Sequence, residues 1–173
     1  MPDYGVDSMR VQDFTIREAA EGDFDAAYDL TSSLGYPKLD RAAFAATFAE
    51  VLQHPEMVLV VAELTDGRVV ALASISHRPQ LRLAGKIVTL DELVVAGDAR
   101  GLGVGRTLLD EAKRLAARLD ARRLQLETNR ARESYKRGFY VKNGFIEADS
   151  AVMRIEVAQT SVCDRPSSGR PTS

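Results

Sequence analysis

A glycine-rich segment between a β-rich run and an amphipathic helix constrains this chain more than any other feature. Glycines without a Cβ let successive backbone N–H groups point into one concavity. The start of the following helix adds a partial positive charge, and two arginines flank the glycines. The segment therefore predicts a strand–turn–helix unit that binds a phosphate group. Its residues are Arg100, Gly101, Leu102, Gly103, Val104, Gly105 and Arg106.

Two familiar phosphate-binding patterns fit this segment poorly. The nucleotide-binding P-loop needs a glycine where Arg100 stands and a lysine where Arg106 stands. The dinucleotide fingerprint needs a third glycine where Leu108 stands, although Glu127 lies about where an acid for a ribose is expected. Three consecutive predicted strands lead into the turn, whereas that fingerprint normally follows the first strand of a β-α-β series. A nicotinamide-dinucleotide-binding enzyme stays open as an alternative.

The hydrophobic periodicity predicts strands and helices in the order β-α-α-β-β-β-α-β-α-β. An antiparallel meander followed by one β-α-β crossover makes a mixed, mainly antiparallel central sheet with helices on both faces, in the α/β (α+β) class. The predicted strands are Phe14–Arg17, Met57–Leu64, Val69–Ser76, Ile87–Val95 and Leu124–Glu127, with terminal strands at Phe145 and Val152–Val157. The predicted helices are Phe24–Leu34, Asp40 to the residue before Pro55, Gly103–Leu119 and Glu133–Asn143.

Length and charge limit the domain organisation and the partners. At 173 residues the chain predicts one domain over residues 11–158, with a flexible N-terminus over 1–10 and a disordered Ser/Thr/Pro/Gly-rich tail over 159–173. A net charge of -2 supplies no basic field for nucleic acid. Without an apolar run near eighteen residues we expect no membrane partner. The single cysteine, Cys163, fits the reducing cytoplasm.

The turn and three other motifs resemble the GNAT family of N-acetyltransferases. The Arg-x-x-Gly-x-Gly arrangement is similar to that family's coenzyme A pyrophosphate loop, and the four motifs follow in the family's order. The second half is most similar to small-amine members such as the aminoalkylphosphonate N-acetyltransferases. The other three motifs are Asp91-Glu92-Leu93-Val94-Val95, Leu126-Glu127-Thr128-Asn129 and Phe139-Tyr140-Val141-Lys142-Asn143-Gly144-Phe145.

The resemblance implies the family fold from about Phe14 to Glu156, acetyl-coenzyme A (acetyl-CoA) as cosubstrate and a small-molecule amine as acceptor. It also leaves a homodimer open, because family members often pair through sheet edges or C-terminal strands. His77 stands alone before the central strand, so no metal site is predicted. A non-catalytic acyl-CoA sensor on the same fold is the second alternative.

Amine acetylation needs a base, an acid and a donor to the thioester carbonyl. Glu92 is the candidate base, Asp91 is the second candidate, and a water-mediated base is also open. Neighbouring residues of a strand point to opposite faces, so we expect only one of the two carboxylates to face the amine. Tyr140 is the candidate acid, because a phenol of pKa about 10 suits a thiol of about 8.5. Tyr135 is the reserve.

The resemblance assigns the remaining contacts. It places the pantetheine arm along Leu93, Val94 and Val95, with a backbone N–H near Val94 or Val95 polarising the carbonyl, and Asn129 bonding the same arm. The acceptor site is expected from the two N-terminal helices and their link, Ser33–Lys38, together with the link near Arg78–Arg82. The cations available there for an anionic acceptor are Arg78, Arg82 and Lys86.

Overall fold

A five-stranded mixed sheet forms the framework of the fold. The computed structural model describes residues 14–35, 39–155 and 157, so the predicted flexible N-terminus, the predicted tail and Cys163 lie outside the described residues. The strands follow one another across the sheet in chain order, antiparallel from the first to the fourth, with the fifth parallel to the fourth. They are β1 (Phe14–Glu18), β2 (Met57–Leu64), β3 (Val69–Gln80), β4 (Gly85–Val95) and β5 (Arg123–Leu126).

Three substantial helices and two single-turn helices complete the described chain. Short 3-10 turns lie at Glu21–Asp23, Leu81–Leu83 and Gly97–Ala99. The third helix makes the crossover between the two parallel strands, as predicted. The helices are α1 (Phe24–Ser32), α2 (Arg41–Gln53), α3 (Val104–Arg118), α4 (Glu133–Lys136) and α5 (Phe139–Lys142).

Local signals in the sequence set several of these boundaries. The Asp40 carboxylate accepts a 2.8 Å hydrogen bond from the Ala43 N–H and caps α2, as expected of an N-cap aspartate. In the β2–β3 hairpin Gly67 has φ 85°, and the Asp66 carboxylate accepts a 3.0 Å bond from the Arg68 N–H. The predicted helix cap at Asp40 and the predicted hairpin turn at Asp66-Gly67 therefore both form for the expected reason.

The sheet has a hydrophobic core on each face. On one face, Leu108 and Leu109 of α3 are fully buried with Ile75 and Val88 of the sheet. On the other, Phe48 of α2 packs with α1 and with alternate residues of β2, β3 and β4. Burying each of these large side chains contributes roughly 1.5–3 kcal/mol. The predicted mixed sheet with helices on both faces is confirmed.

The C-terminal third differs from the prediction. The prediction of a single helix over Glu133–Asn143 is wrong, because Gly138 adopts φ 67° and divides this segment into α4 and α5. The strands expected at Phe145 and Val152–Val157 are also absent over the described residues 145–155 and 157, where Ile155 is 87% exposed. Alternating apolar residues need an edge to pair with, and the four-residue β5 offers a short one.

The β3–β4 hairpin is longer than predicted. Pairing continues past Ser76 to Gln80 opposite Gly85, so Arg78 belongs to β3 and the link is only Leu81–Ala84. No helix in the described ranges is both long and apolar enough to cross a lipid bilayer.

Candidate active site

A β-bulge in β4 lies at the predicted base. Glu92 pairs with Ser74 and Leu90 pairs with Ile75, which leaves Asp91 without a partner in β3. A bulge of this kind breaks the strict alternation of side chains. Asp91 and Glu92 therefore line the same cavity, and the prediction that only one of them faces it is wrong.

The cavity has a volume of about 360 Å³ and lies between the sheet and the helices α1 and α2. These two helices were expected to form the acceptor site. The link between them contributes no lining residue within its described part, residues 33–35, and residues 36–38 lie outside the described ranges. Arg78 and Arg82 do not line the cavity either. Besides the two carboxylates, the lining residues are Ala27, Thr31, Phe44, Thr47, Phe48, Val51, Met57, Leu59, Leu72 and Ser74.

Burial raises the pKa of both carboxylates. The pKa of Glu92 is raised most strongly by burial and further by the neighbouring charge of Asp91. A hydrogen bond from the buried Ser74 hydroxyl partly opposes this and lowers the pKa. For Asp91, burial raises the pKa and hydrogen bonding from Ser76 lowers it. A carboxyl group whose pKa moves toward neutrality is a better general base at neutral pH.

The two serines were not found by sequence reasoning. They stand two residues apart in β3, so they share one face of that strand. Their relation to the carboxylates depends on the register between β3 and β4 and on the bulge within it. Only a prediction of the register between β3 and β4 would have indicated that these serines contact the two carboxylates.

Beyond the bulge, β4 has a free edge on the side of β5. The parallel pairing ends at Leu90 opposite Leu126, so Leu93–Val95 have no partner from β5. The Ala96 N–H donates to the Val70 carbonyl of β3, and by alternation the polar groups of Val94 also face β3. The N–H and C=O of Leu93 and Val95 consequently face the opening, where an extended ligand arm can pair with them.

The three glycines of the turn serve different purposes. Gly101 and Gly103 both have φ 85°, a conformation that favours glycine, and a Cβ at either would meet nothing within 4 Å. Gly105 lies inside α3, where a Cβ would stand 3.4 Å from the Phe139 ring and 3.5 Å from Val95. The first two glycines thus leave the space beside the turn open, while the third allows close packing.

The two arginines of the turn are exposed. Arg100 Nε donates a 3.3 Å hydrogen bond to the Val95 carbonyl, which ties the turn to the free edge of β4. Arg106 lies 4.0 Å from the Asp110 carboxylate, one helical turn later in α3. In the sequence, Arg100 directly precedes the first of these glycines and Arg106 directly follows the last. Positive charge beside the turn favours an anionic ligand.

The aromatic segment positions the predicted acid. The Tyr140 ring packs edge-to-face against Phe139, with ring centroids 5.1 Å apart, and against Phe145, at 6.2 Å. Within the described ranges the Tyr140 hydroxyl has no hydrogen-bond partner, and Tyr140 is not among the residues that line the cavity. The reserve candidate, Tyr135, donates a 2.8 Å bond to Glu147, and this bond raises the pKa of Tyr135. Of the two tyrosines, Tyr140 is the one with a free hydroxyl.

A further predicted residue makes a local contact. The Asn129 side-chain oxygen accepts a 2.8 Å bond from the Ala131 N–H, so this residue stabilises the turn after β5. Its amide NH₂ stays available for a ligand.

The residues of the dinucleotide alternative have other roles. Glu127, its candidate ribose acid, forms an ion pair with Arg154, and Leu108, at the third glycine position, is fully buried. These contacts argue against the dinucleotide fingerprint. Within the described ranges, no group of three or more His, Cys, Asp or Glu residues gathers as a metal site.

Comparison with known proteins gives a family match over most of the chain. The model of the acetyltransferase (GNAT) family matches residues 24–145. An aminoalkylphosphonate N-acetyltransferase of Salmonella typhimurium is 34% identical over 130 residues, which cover 75% of this chain and 83% of the relative. A glucosamine 6-phosphate N-acetyltransferase of Oryza sativa subsp. japonica is 28% identical over 153 residues, covering 82% of this chain and 83% of the relative.

Solved structures share the fold. An aminoglycoside N-acetyltransferase in complex with CoA superposes with a TM-score of 0.73 at 19% identity, over 85% of this chain and 97% of that one. At this identity the likeness concerns the fold alone.

Proposed function

The chain belongs to the acetyltransferase (GNAT) family of acyltransferases, and from this premise we propose that it is an acetyl-CoA-dependent N-acetyltransferase of a small primary amine. One observation carries the proposal. A single strand, β4, holds the paired carboxylates in a cavity, then a free backbone edge, and leads through one short 3-10 turn into the glycine turn. Base, carbonyl donor and phosphate site thus follow one another along about fifteen residues.

The open space beside Gly101 and Gly103 suits the pyrophosphate of the cosubstrate. Backbone N–H groups at the start of α3 point outward there, and the helix is long enough to contribute its dipole. Arg100 and Arg106 add positive charge. The pantetheine arm would then lie along Leu93–Val95, where the free N–H groups allow strand-like pairing.

In the proposed reaction the amine attacks the thioester carbonyl directly. Glu92, or a water bound to it, accepts the proton that the amine loses. The Val95 N–H donates to the carbonyl oxygen as negative charge develops on it. A carbon–nitrogen bond forms, the carbon–sulfur bond breaks, and Tyr140 gives its proton to the departing thiolate. The products are an amide and free CoA, with no covalent enzyme intermediate.

The size of the cavity supports a small acceptor. A volume of about 360 Å³ is near the lower end of the roughly 300–1,000 Å³ typical of small-molecule sites. Both relatives named above are N-acetyltransferases of small amines by their names. A cytoplasmic location, expected from the single cysteine, is part of the proposal.

The test is an assay of free thiol released from acetyl-CoA with and without a panel of primary amines, followed by mass analysis of the amines. We expect thiol release that depends on the amine and a matching acetylated product. Binding of acetyl-CoA without thiol release from any amine would instead indicate a sensor. Binding of a nicotinamide dinucleotide in its place would overturn the assignment of the glycine turn.

A further inference from the structure

The described lining of the cavity carries negative charge and no positive charge. Asp91 and Glu92 lie at one strand, and the other polar groups are the hydroxyls of Thr31, Thr47 and Ser74. No Arg, Lys or His is among the described residues that line it. The remaining wall is aliphatic and aromatic.

Two arginines, on α2 and on β1, are paired with acids. Arg41 of α2 lies over the rings of Phe24 and Tyr28 and forms an ion pair with Asp25. Arg17 forms a bidentate pair with Asp23, at 2.7 and 2.8 Å. These arginines stabilise the packing of the helices and the edge of the sheet, and they neutralise acids that are already present.

An acceptor with a phosphate or phosphonate group would bring a second anion to this site. Like charges placed side by side repel each other, so the two carboxylates disfavour such an acceptor. An ammonium group, by contrast, is attracted by Asp91 and Glu92, and an apolar body fits against Phe44, Phe48 and Leu59.

We propose that the acceptor is an apolar primary amine, an ammonium on an aryl-alkyl or alkyl body, and not an amine that carries a phosphate or phosphonate. This inference rests on the proposed function for its reaction, but it concerns the binding preference of the cavity itself. Asp91 holds the ammonium group beside Glu92, which then removes the proton. Phe44 and Phe48 contact the apolar body.

The experiment compares phenethylamine with aminoethylphosphonate, two primary amines on a short chain that differ in the terminal group. Binding of each to the full chain is measured by calorimetry, with and without CoA, and turnover is measured separately by thiol release from acetyl-CoA. We expect kcat/KM for phenethylamine to exceed that for aminoethylphosphonate by about 100-fold. The affinities should differ in the same direction.

A charge variant on α2 makes the test sharper. Thr47 is exposed and lines the cavity, so Thr47→Arg should introduce the missing cation and narrow the preference by at least about tenfold. Ala46→Arg adds the same charge at an exposed position of the same helix outside the cavity and should leave the preference unchanged.

The outcomes separate this inference from the proposed function. Selective binding of phenethylamine without turnover would support the inference and refute the proposed function. Equal or better turnover of aminoethylphosphonate would overturn the inference and leave the proposed function standing. Failure of phenethylamine to bind would also overturn the inference.

Discussion

Removing the Ser74 hydroxyl should move the pH at which the enzyme loses activity. This hydroxyl bonds to Glu92 and lowers its pKa, against the burial that raises it. In Ser74→Ala burial acts without that opposition, so the pKa of Glu92 rises. A base must be deprotonated to act, and the acidic limb of kcat/KM therefore shifts to higher pH.

The size of the shift follows from the bond that is lost. A hydrogen bond to a charged group contributes about 1.5 kcal/mol or somewhat more. One pKa unit corresponds to about 1.4 kcal/mol, so the acidic limb should move by about one pH unit. The limb that reports ionisation of the amine substrate at high pH should stay where it is. The assay is thiol release as a function of pH at low amine concentration.

Ser76→Ala is the matched control on the same face of β3. Its hydroxyl lowers the pKa of Asp91 rather than that of Glu92. If Glu92 is the base, Ser76→Ala leaves the acidic limb within a few tenths of a unit. A shift in Ser76→Ala but not in Ser74→Ala would assign the base to Asp91. No shift in either variant would refute the reasoning for both carboxylates.

Three further predictions concern the acid, the turn and the edge of the sheet. Tyr140→Phe should lower kcat on the order of 100-fold in thiol release and leave acetyl-CoA affinity unchanged, because the ring packing is kept. Gly103→Val should weaken acetyl-CoA binding by at least about tenfold in calorimetry, since φ 85° disfavours a side chain and the new group blocks the phosphate. The hydrogen bond from Arg17 lowers the pKa of Asp23 in the folded protein. The pair therefore stabilises the fold at pH values above the pKa of an unfolded aspartate, and this stabilisation is lost as the pH falls through the lower pKa of the folded protein. Urea unfolding at several pH values should show this loss in the wild type and not in Asp23→Asn.

Each of these has a control or an opposing result. Unchanged kcat in Tyr140→Phe would remove this residue from the mechanism. Gly97→Ala lies in the same loop without a positive φ and without atoms nearby, so it should bind acetyl-CoA normally. Equal affinity in Gly103→Val would contradict the phosphate assignment. A stability that falls equally with acid in Asp23→Asn would show that other groups dominate.

Much of the fold was predictable because local signals and tertiary packing agree. The Asp40 cap, the Asp66-Gly67 turn and the apolar face of α3 each act within a few residues. Their elements occur where the sequence places them. The glycine turn was predictable for the same reason, since its chemistry is carried by consecutive residues.

The errors occur where the outcome depends on distant partners. Asp91 lies at a bulge that only the pairing with β3 creates, so strict alternation gave the wrong faces. Gly138 divides the last helix although its neighbours have helical spacing. The apolar residues near Ile155 have the pattern of a strand but no paired strand in the described chain. Pairing is a property of the sheet and cannot be read from one segment.

The thermal unfolding midpoint in the presence of acetyl-CoA tests most directly whether the glycine turn holds this cosubstrate. At about 100 times its dissociation constant, a ligand of the native state adds about 2.7 kcal/mol. For a chain of this size that raises the midpoint by about 5–10 °C. We predict this shift with acetyl-CoA, none with NADH, and a reduced one in Gly103→Val. A shift with NADH alone would contradict the account, and the roles of Glu92 and Tyr140 would fall with it.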